Sequence, residues 1–158
     1  MSNAQDTADV VRAAPVSRDR CGMALATELL GDRWTMLILR EAFYGVARFD
    51  DLRADLGAPR GILSARLRAL VEAGVLQRHP YREGRARVRN EYRLSAAGLE
   101  LAPVLIALMD WGDRHLQAGR TSLKMTVRET GEPVRLAPVT PAGKPVAWEQ
   151  VVYGLPEV

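Results

Sequence analysis

At 158 residues and 47% hydrophobic content, the chain can bury one core of ordinary domain size with a small appendage. One cysteine, Cys21, excludes an internal disulfide framework, and with only two histidines, His79 and His115, the chain offers too few ligands for a structural zinc; no cofactor is implied. The formal net charge is +3, no run of 18 apolar residues exists to span a bilayer, and the polar N-terminus lacks the apolar segment of a secretory signal, so a cytoplasmic protein with no membrane partner is expected.

Residues 1–20 show no clean period and contain Pro15, and read as a flexible N-terminal arm. A short first helix is predicted over 23–30, with Gly31 as a left-handed stop. Asp32 is the N-cap expected for a second, mostly buried helix over 33–44, closed by Gly45. Phe49, Leu52 and Leu56 recur at three and four residues with Asp50 and Asp51 in the first turn, which predicts a third helix over 49–56. The Gly57-Ala58-Pro59 turn then leads into a fourth helix, with Pro59 expected at its first position.

In that fourth helix Leu63, Leu67, Leu70 and Val71 form one apolar stripe, while Arg60, Gly61, Ser64 and Arg68 lie away from it. Gly74 stops it, and two β-rich runs at 75–80 and 88–94 flank a basic tip at 81–87, the pattern of a hairpin. Ser95 caps a predicted last helix over 96–117 with a broad apolar face of Leu101, Val104, Leu105, Leu108, Trp111 and Leu116, in which Pro103 is expected to introduce a kink. Beyond Gly119 the segments 123–129, 134–139 and 146–153 alternate between turns and read as a small antiparallel β appendage, with Trp148 and Tyr153 as its packing anchors.

The fold class expected is mainly α with a β-hairpin wing, a winged helix-turn-helix over 21–118 followed by a β-rich extension over 119–158. Charge placement sharpens this. Residues 60–93 carry nine arginines against three glutamates, a net of +6 where the whole chain carries +3, so the rest is net acidic. The positive charge is concentrated where the second helix of a helix-turn-helix and its wing lie, which points to double-stranded DNA.

The residue text is more specific than the element order. Cys21-Gly22-Met23, then Leu30-Gly31-Asp32-Arg33-Trp34-Thr35-Met36-Leu37-Ile38-Leu39-Arg40, Arg48-Phe49-Asp50-Asp51-Leu52, Leu63-Ser64-Ala65-Arg66-Leu67-Arg68-Ala69-Leu70, Glu91-Tyr92-Arg93-Leu94-Ser95 and Trp111-Gly112 follow one another in order. Over about 21–116 the chain resembles the HxlR-type (DUF24) transcriptional regulators, relatives of the MarR regulators. The resemblance implies a homodimer whose terminal helices, here 23–30 and 96–117, build the two-fold interface; ordinary monomer core is the other reading of their apolar faces. It also implies that Cys21 stands where some members carry a cysteine that responds to oxidants or electrophiles. Arg18 and Arg20 nearby favour a thiolate, which makes Cys21 a candidate redox sensor; a buried small hydrophobe is the alternative.

For DNA, the N-terminal residues of the recognition helix lie near base edges in the major groove. Arg60 and Ser64 are the candidates best placed, Gly61 permits close approach, and Arg68 follows on the same face. A guanidinium bridging guanine O6 and N7 gives about 1–3 kcal/mol of discrimination, and Arg60 otherwise touches phosphate or solvent. Arg66 adjoins the apolar stripe, so base reading, a phosphate contact and an internal ion pair all stay open. Arg82, Arg85 and Arg87 surround Gly84 at the wing tip and are expected on the backbone or in the minor groove, while Arg89 and Arg93 are partly structural. A two-fold dimer prefers an inverted-repeat operator. A small ligand between Trp34, Trp111 and the dimer helices is a further candidate effector. The competing class is a winged-helix module that binds protein instead of DNA. No enzyme is expected, because neither a phosphate-binding glycine loop nor a nucleophile-base motif is present.

Overall fold

The computed structural model describes residues 17–117 and 124–151. They fall into two compact units, one within 18–117 and one within 124–151. The first begins with a 3-10 turn, Arg18–Arg20, and continues through α1 (Gly22–Leu30), α2 (Arg33–Phe43), α3 (Phe49–Leu56), α4 (Arg60–Glu72), β1 (Leu76–Tyr81), β2 (Arg89–Leu94), α5 (Ala96–Leu99) and α6 (Ala102–Leu116). The expected winged helix-turn-helix is present: three helices, a tight turn, a fourth helix and a hairpin.

The core contains Leu52, Leu63, Leu67 and Leu70, whose helical spacing predicted them, and further residues that spacing did not single out, such as Leu39 and Leu76. Ile38 and Leu39 of α2, Leu52 of α3, Leu63, Leu67 and Leu70 of α4, and Leu76 of β1 are essentially inaccessible to solvent. Each contributes about 1.5–3 kcal/mol by leaving water, and together they clamp α4 between α2 and the wing. Gly57 takes the left-handed conformation (φ 60°) that lets the chain reverse between α3 and α4. Pro59 sits one residue earlier than expected, as the N-cap with ψ 134°, so Arg60 is the first helical residue of α4.

β1 and β2 pair antiparallel in a register running from Leu76 opposite Leu94 to Tyr81 opposite Arg89. The hairpin is joined by a short third segment: Tyr92 N–H donates to Ala47 O at 2.7 Å and Arg48 bridges Glu91. The residue just before α3 is thus the outer edge of the wing sheet, which ties the wing to the helix-turn-helix.

One glycine and one proline work differently from the expectation. Gly31 does not adopt a left-handed stop; its φ is −70°, and a β-carbon there would meet Thr27 O at 2.5 Å. Its hydrogen atom is needed for close approach. The predicted single helix over 96–117 is two helices, because Pro103 has no N–H to donate and its ring clashes with the preceding turn. α5 ends at Leu99, Leu101 N–H closes a tighter turn on Gly98 O, and Pro103 lies in the first turn of α6, where it is tolerated. The break replaces the expected kink.

The broad apolar face of α6 is only partly core. Leu105 is buried, but Val104, Leu108, Trp111 and Leu116 are at least half exposed, as are Leu99 of α5 and Met23 and Leu25 of α1.

Within 124–151, antiparallel pairing is limited to two isolated bridges, Thr126 with Pro133 and Val139 with Pro145, each closing a turn on a positive-φ glycine, Gly131 or Gly143. The three continuous strands expected there are absent among the described residues. Prolines at 133, 138, 141 and 145 remove ladder donors and keep each pairing short. Trp148 lies on a 3-10 turn, Trp148–Gln150, and is 59% exposed, so it is not the anchor expected. Tyr153 and residues 1–16 lie outside the described residues.

Candidate nucleic-acid interface

α4 presents one face to solvent because its three leucines at positions 63, 67 and 70 consume the other. Arg60, Gly61, Ala65 and Arg68 are exposed and Ser64 is half-buried. Gly61 has helical backbone and a β-carbon there would touch nothing within 4 Å. The fold therefore gives no reason for glycine at that place, where it weakens a helix.

Arg60 is tethered at one side, its guanidinium lying 5.7 Å from the centroid of the Phe49 ring at the start of α3. It shares a cleft of about 530 Å³ with Tyr81, Arg87, Arg89 and Asn90. The first residue of α4 and the turn end of the wing thus line one groove, with three arginines and Asp50, although they are far apart in sequence. Arg82 and Arg85 are exposed further along the wing turn, around Gly84 with φ 56°. Among the described residues Arg60, Arg68, Arg82, Arg85 and Arg87 make no ion pair.

Of the other arginines of the basic segment, Arg78 is exposed and makes no ion pair among the described residues, whereas Arg66, Arg89 and Arg93 are engaged. Arg66 forks onto Asp32, Nε to Oδ1 at 3.1 Å and Nη2 to Oδ2 at 3.2 Å. Arg89, beside the wing turn, pairs with Asp50 at 2.9 Å, and Arg93 pairs with Glu91. Arg48, which sequence reasoning did not single out, lies 4.7 Å above the Tyr81 ring and pairs with Glu83 of the wing turn at 2.5 Å. No local signal marks it, since its partner is 35 residues away. Two ion pairs, Arg48 with Glu83 and Arg89 with Asp50, therefore fasten the wing to the entry of α3. Both are largely solvated and each adds well under about 1 kcal/mol; their contribution is direction.

Cys21 is the N-cap residue of α1, half-buried, with no cap hydrogen bond from its side chain. It is thus close to the apolar side chains of Met23 and Leu25 in sequence but not part of the arginine groove. Trp34 packs against the core under the Arg33 guanidinium, 4.5 Å from the ring centroid, whereas Trp111 is half exposed beside His115. Among the described residues no helix is long and apolar enough to cross a membrane.

Comparison with known proteins agrees with this geometry. The model of the HxlR-like helix-turn-helix family matches residues 29–120. The HTH-type transcriptional regulator Rv3095 of Mycobacterium tuberculosis is 48% identical over 111 residues, which cover 70% of this chain and 63% of that protein. The chain thus spans less than two thirds of the length of this relative. Among solved structures, PA1607, a candidate transcription factor, is 38% identical with a TM-score of 0.71, covering 85% of this chain and 94% of that one. PA1374 of Pseudomonas aeruginosa, also a candidate transcription factor, is 36% identical with a TM-score of 0.59, covering 87% and 94%. An exposed α4 face and a basic wing on this scaffold, with a family match over more than half of its length, have one conclusion: the chain belongs to the HxlR-like helix-turn-helix family of transcriptional regulators.

Proposed function

We propose that the protein is a dimeric, sequence-specific DNA-binding regulator whose winged unit, residues 21–118, lays α4 in the major groove and the wing on the backbone or minor groove. The observation that carries this is the groove that Arg60 of α4 lines together with Arg87 and Arg89 at the turn end of the wing, with Arg68, Arg82 and Arg85 exposed as well. Arg60, Gly61 and Ser64 stand where base edges are read and Arg68 follows one turn on; Arg82, Arg85 and Arg87 neutralise phosphates.

Dimerisation rests on the exposed apolar residues of α1, α5 and α6. Leu99, Val104, Leu108, Trp111 and Leu116, with Met23 and Leu25, leave more large apolar surface on these helices than a monomer needs. A second copy covering them gives a two-fold assembly with two recognition helices, and with it an inverted-repeat operator. Cys21, at the start of α1 and half-buried, is the residue through which oxidants or electrophiles would act on that assembly.

Selecting bound fragments from sheared genomic DNA tests the reading. The expected result is an enriched inverted repeat with half-sites about one helical turn apart. Absence of any enriched sequence, with the protein folded, favours the protein-binding alternative.

A further inference from the structure

Arg66 projects from the middle of α4, which makes it look like one more DNA contact. Its guanidinium is spent elsewhere. Nη2 donates to Oδ2 of Asp32 at 3.2 Å, and Nε lies 3.1 Å from Oδ1 in the same ion pair, so the guanidinium faces both carboxylate oxygens. The same Oδ1 also accepts from the backbone N–H groups of Trp34, at 3.0 Å, and Thr35, at 3.2 Å. Asp32 is therefore at once the N-cap of α2 and the receptor for the recognition helix.

The apolar stripe of α4 fixes how deep the helix sits but resists rotation poorly, because burial of leucines is non-directional. A planar guanidinium held by both oxygens of a capped carboxylate is directional. It lies on the flank of the stripe, where rotation of α4 about its own axis would stretch it. Such rotation would swing Gly61, Ala65 and Arg68 away from any base pair they face.

We propose that Arg66 is a positioning residue, which sets the roll of α4 through Asp32 and does not itself contact DNA. The proposal rests on the reading of α4 as the DNA-facing helix. It assigns Asp32, an acid outside the basic groove, a part in sequence discrimination.

The test uses the full chain with two probes, a duplex enriched from random sequence by the wild-type protein and a duplex of scrambled sequence. Arg66→Gln, Asp32→Asn and the double variant are compared over a salt series. Asparagine still caps a helix, so Asp32→Asn removes the ion pair and spares α2; Arg66→Lys keeps the charge and loses the fork. Melting curves confirm that each variant is folded.

Positioning predicts that each single variant weakens binding to the enriched duplex by about two- to fivefold. The double variant is no weaker than the singles, Arg66→Lys shows the same loss, and the scrambled duplex and the salt slopes are unchanged. On charge alone, losing an acid beside DNA strengthens binding, so weakening by Asp32→Asn is the discriminating sign. The proposal is overturned if Arg66→Gln weakens both duplexes and lowers the salt slope by about 0.9 while Asp32→Asn does not weaken either, which marks a phosphate contact. It is equally overturned if folded variants bind both duplexes as the wild type does. A wild-type protein that enriches no duplex defeats the DNA reading itself, before any variant is compared.

Discussion

Gly98 of α5 lies so close to Val75, just ahead of β1, that a β-carbon on Gly98 would come within 2.3 Å of the Val75 carbonyl oxygen. That oxygen already accepts from Ser95 N–H at 3.0 Å, and Ser95 Oγ in turn donates to Gly74 O and accepts from Gly98 N–H at 3.0 Å. The end of the wing and the start of α5 are thereby locked to the turn after α4. Backbone cannot retreat as a flexible side chain can, so Gly98→Ala should destabilise the fold by about 1–3 kcal/mol. Chemical denaturation measures it; an unchanged midpoint would show that the junction relaxes freely.

Gly61 should behave oppositely. A β-carbon there meets nothing and the backbone is helical, so Gly61→Ala is expected to stabilise the protein by up to about 0.5–1 kcal/mol. The added methyl stands on the face proposed to meet DNA, and binding to an enriched duplex should weaken. Opposite signs in a thermal melt and a DNA titration identify a glycine kept for its ligand; gain or loss in both would reject that role.

Neutralising Arg85 and Arg87 at the wing should weaken binding to all sequences alike. The slope of log K against log salt should flatten by about 0.9 for each phosphate that the variant no longer neutralises. Neither residue has an ion-pair partner among the described residues, so stability should change by less than about 0.5 kcal/mol. An unaltered salt slope excludes a grip of the wing on phosphate.

Leu108 of α6 is 53% exposed and Trp111 is 50% exposed. Leu108→Glu should therefore cost little in a monomer but place a charge inside a two-fold interface. Sedimentation is expected to shift from dimer to monomer, with DNA affinity falling as the second half-site is lost. A wild-type chain that sediments as a monomer at micromolar concentration rules the interface out.

With a single thiol per chain, oxidation joins Cys21 either to a second copy or to a small thiol. Diamide, which accepts the two hydrogens released when two thiols form a disulfide, should dissociate the wild-type protein from DNA and leave Cys21→Ser bound. Equal release of both proteins excludes thiol sensing.

The elements from α2 to β2 were legible in the sequence because the forces that specify them act within a few residues. Asp32 caps α2 with its own side chain, and Leu63, Leu67 and Leu70 repeat at helical spacing. Gly57 and Pro59 mark the turn between the two helices of the motif, and the family resemblance over 21–116 rests on the same local text. The concentration of arginine over 60–93 was equally visible. What no local rule contained was which of those arginines is neutralised within the fold. Arg66 meets Asp32 34 residues away and Arg89 meets Asp50 39 residues away, and electrostatic pairing follows distance in space, which only the packed chain defines. The same reason hid the close approach of Gly98 to Val75, whereas the contact of Gly31 with Thr27 and the break at Pro103 are local effects. Local sequence specifies a winged helix-turn-helix with a basic face, and packing selects which charges on that face stay unpaired among the described residues.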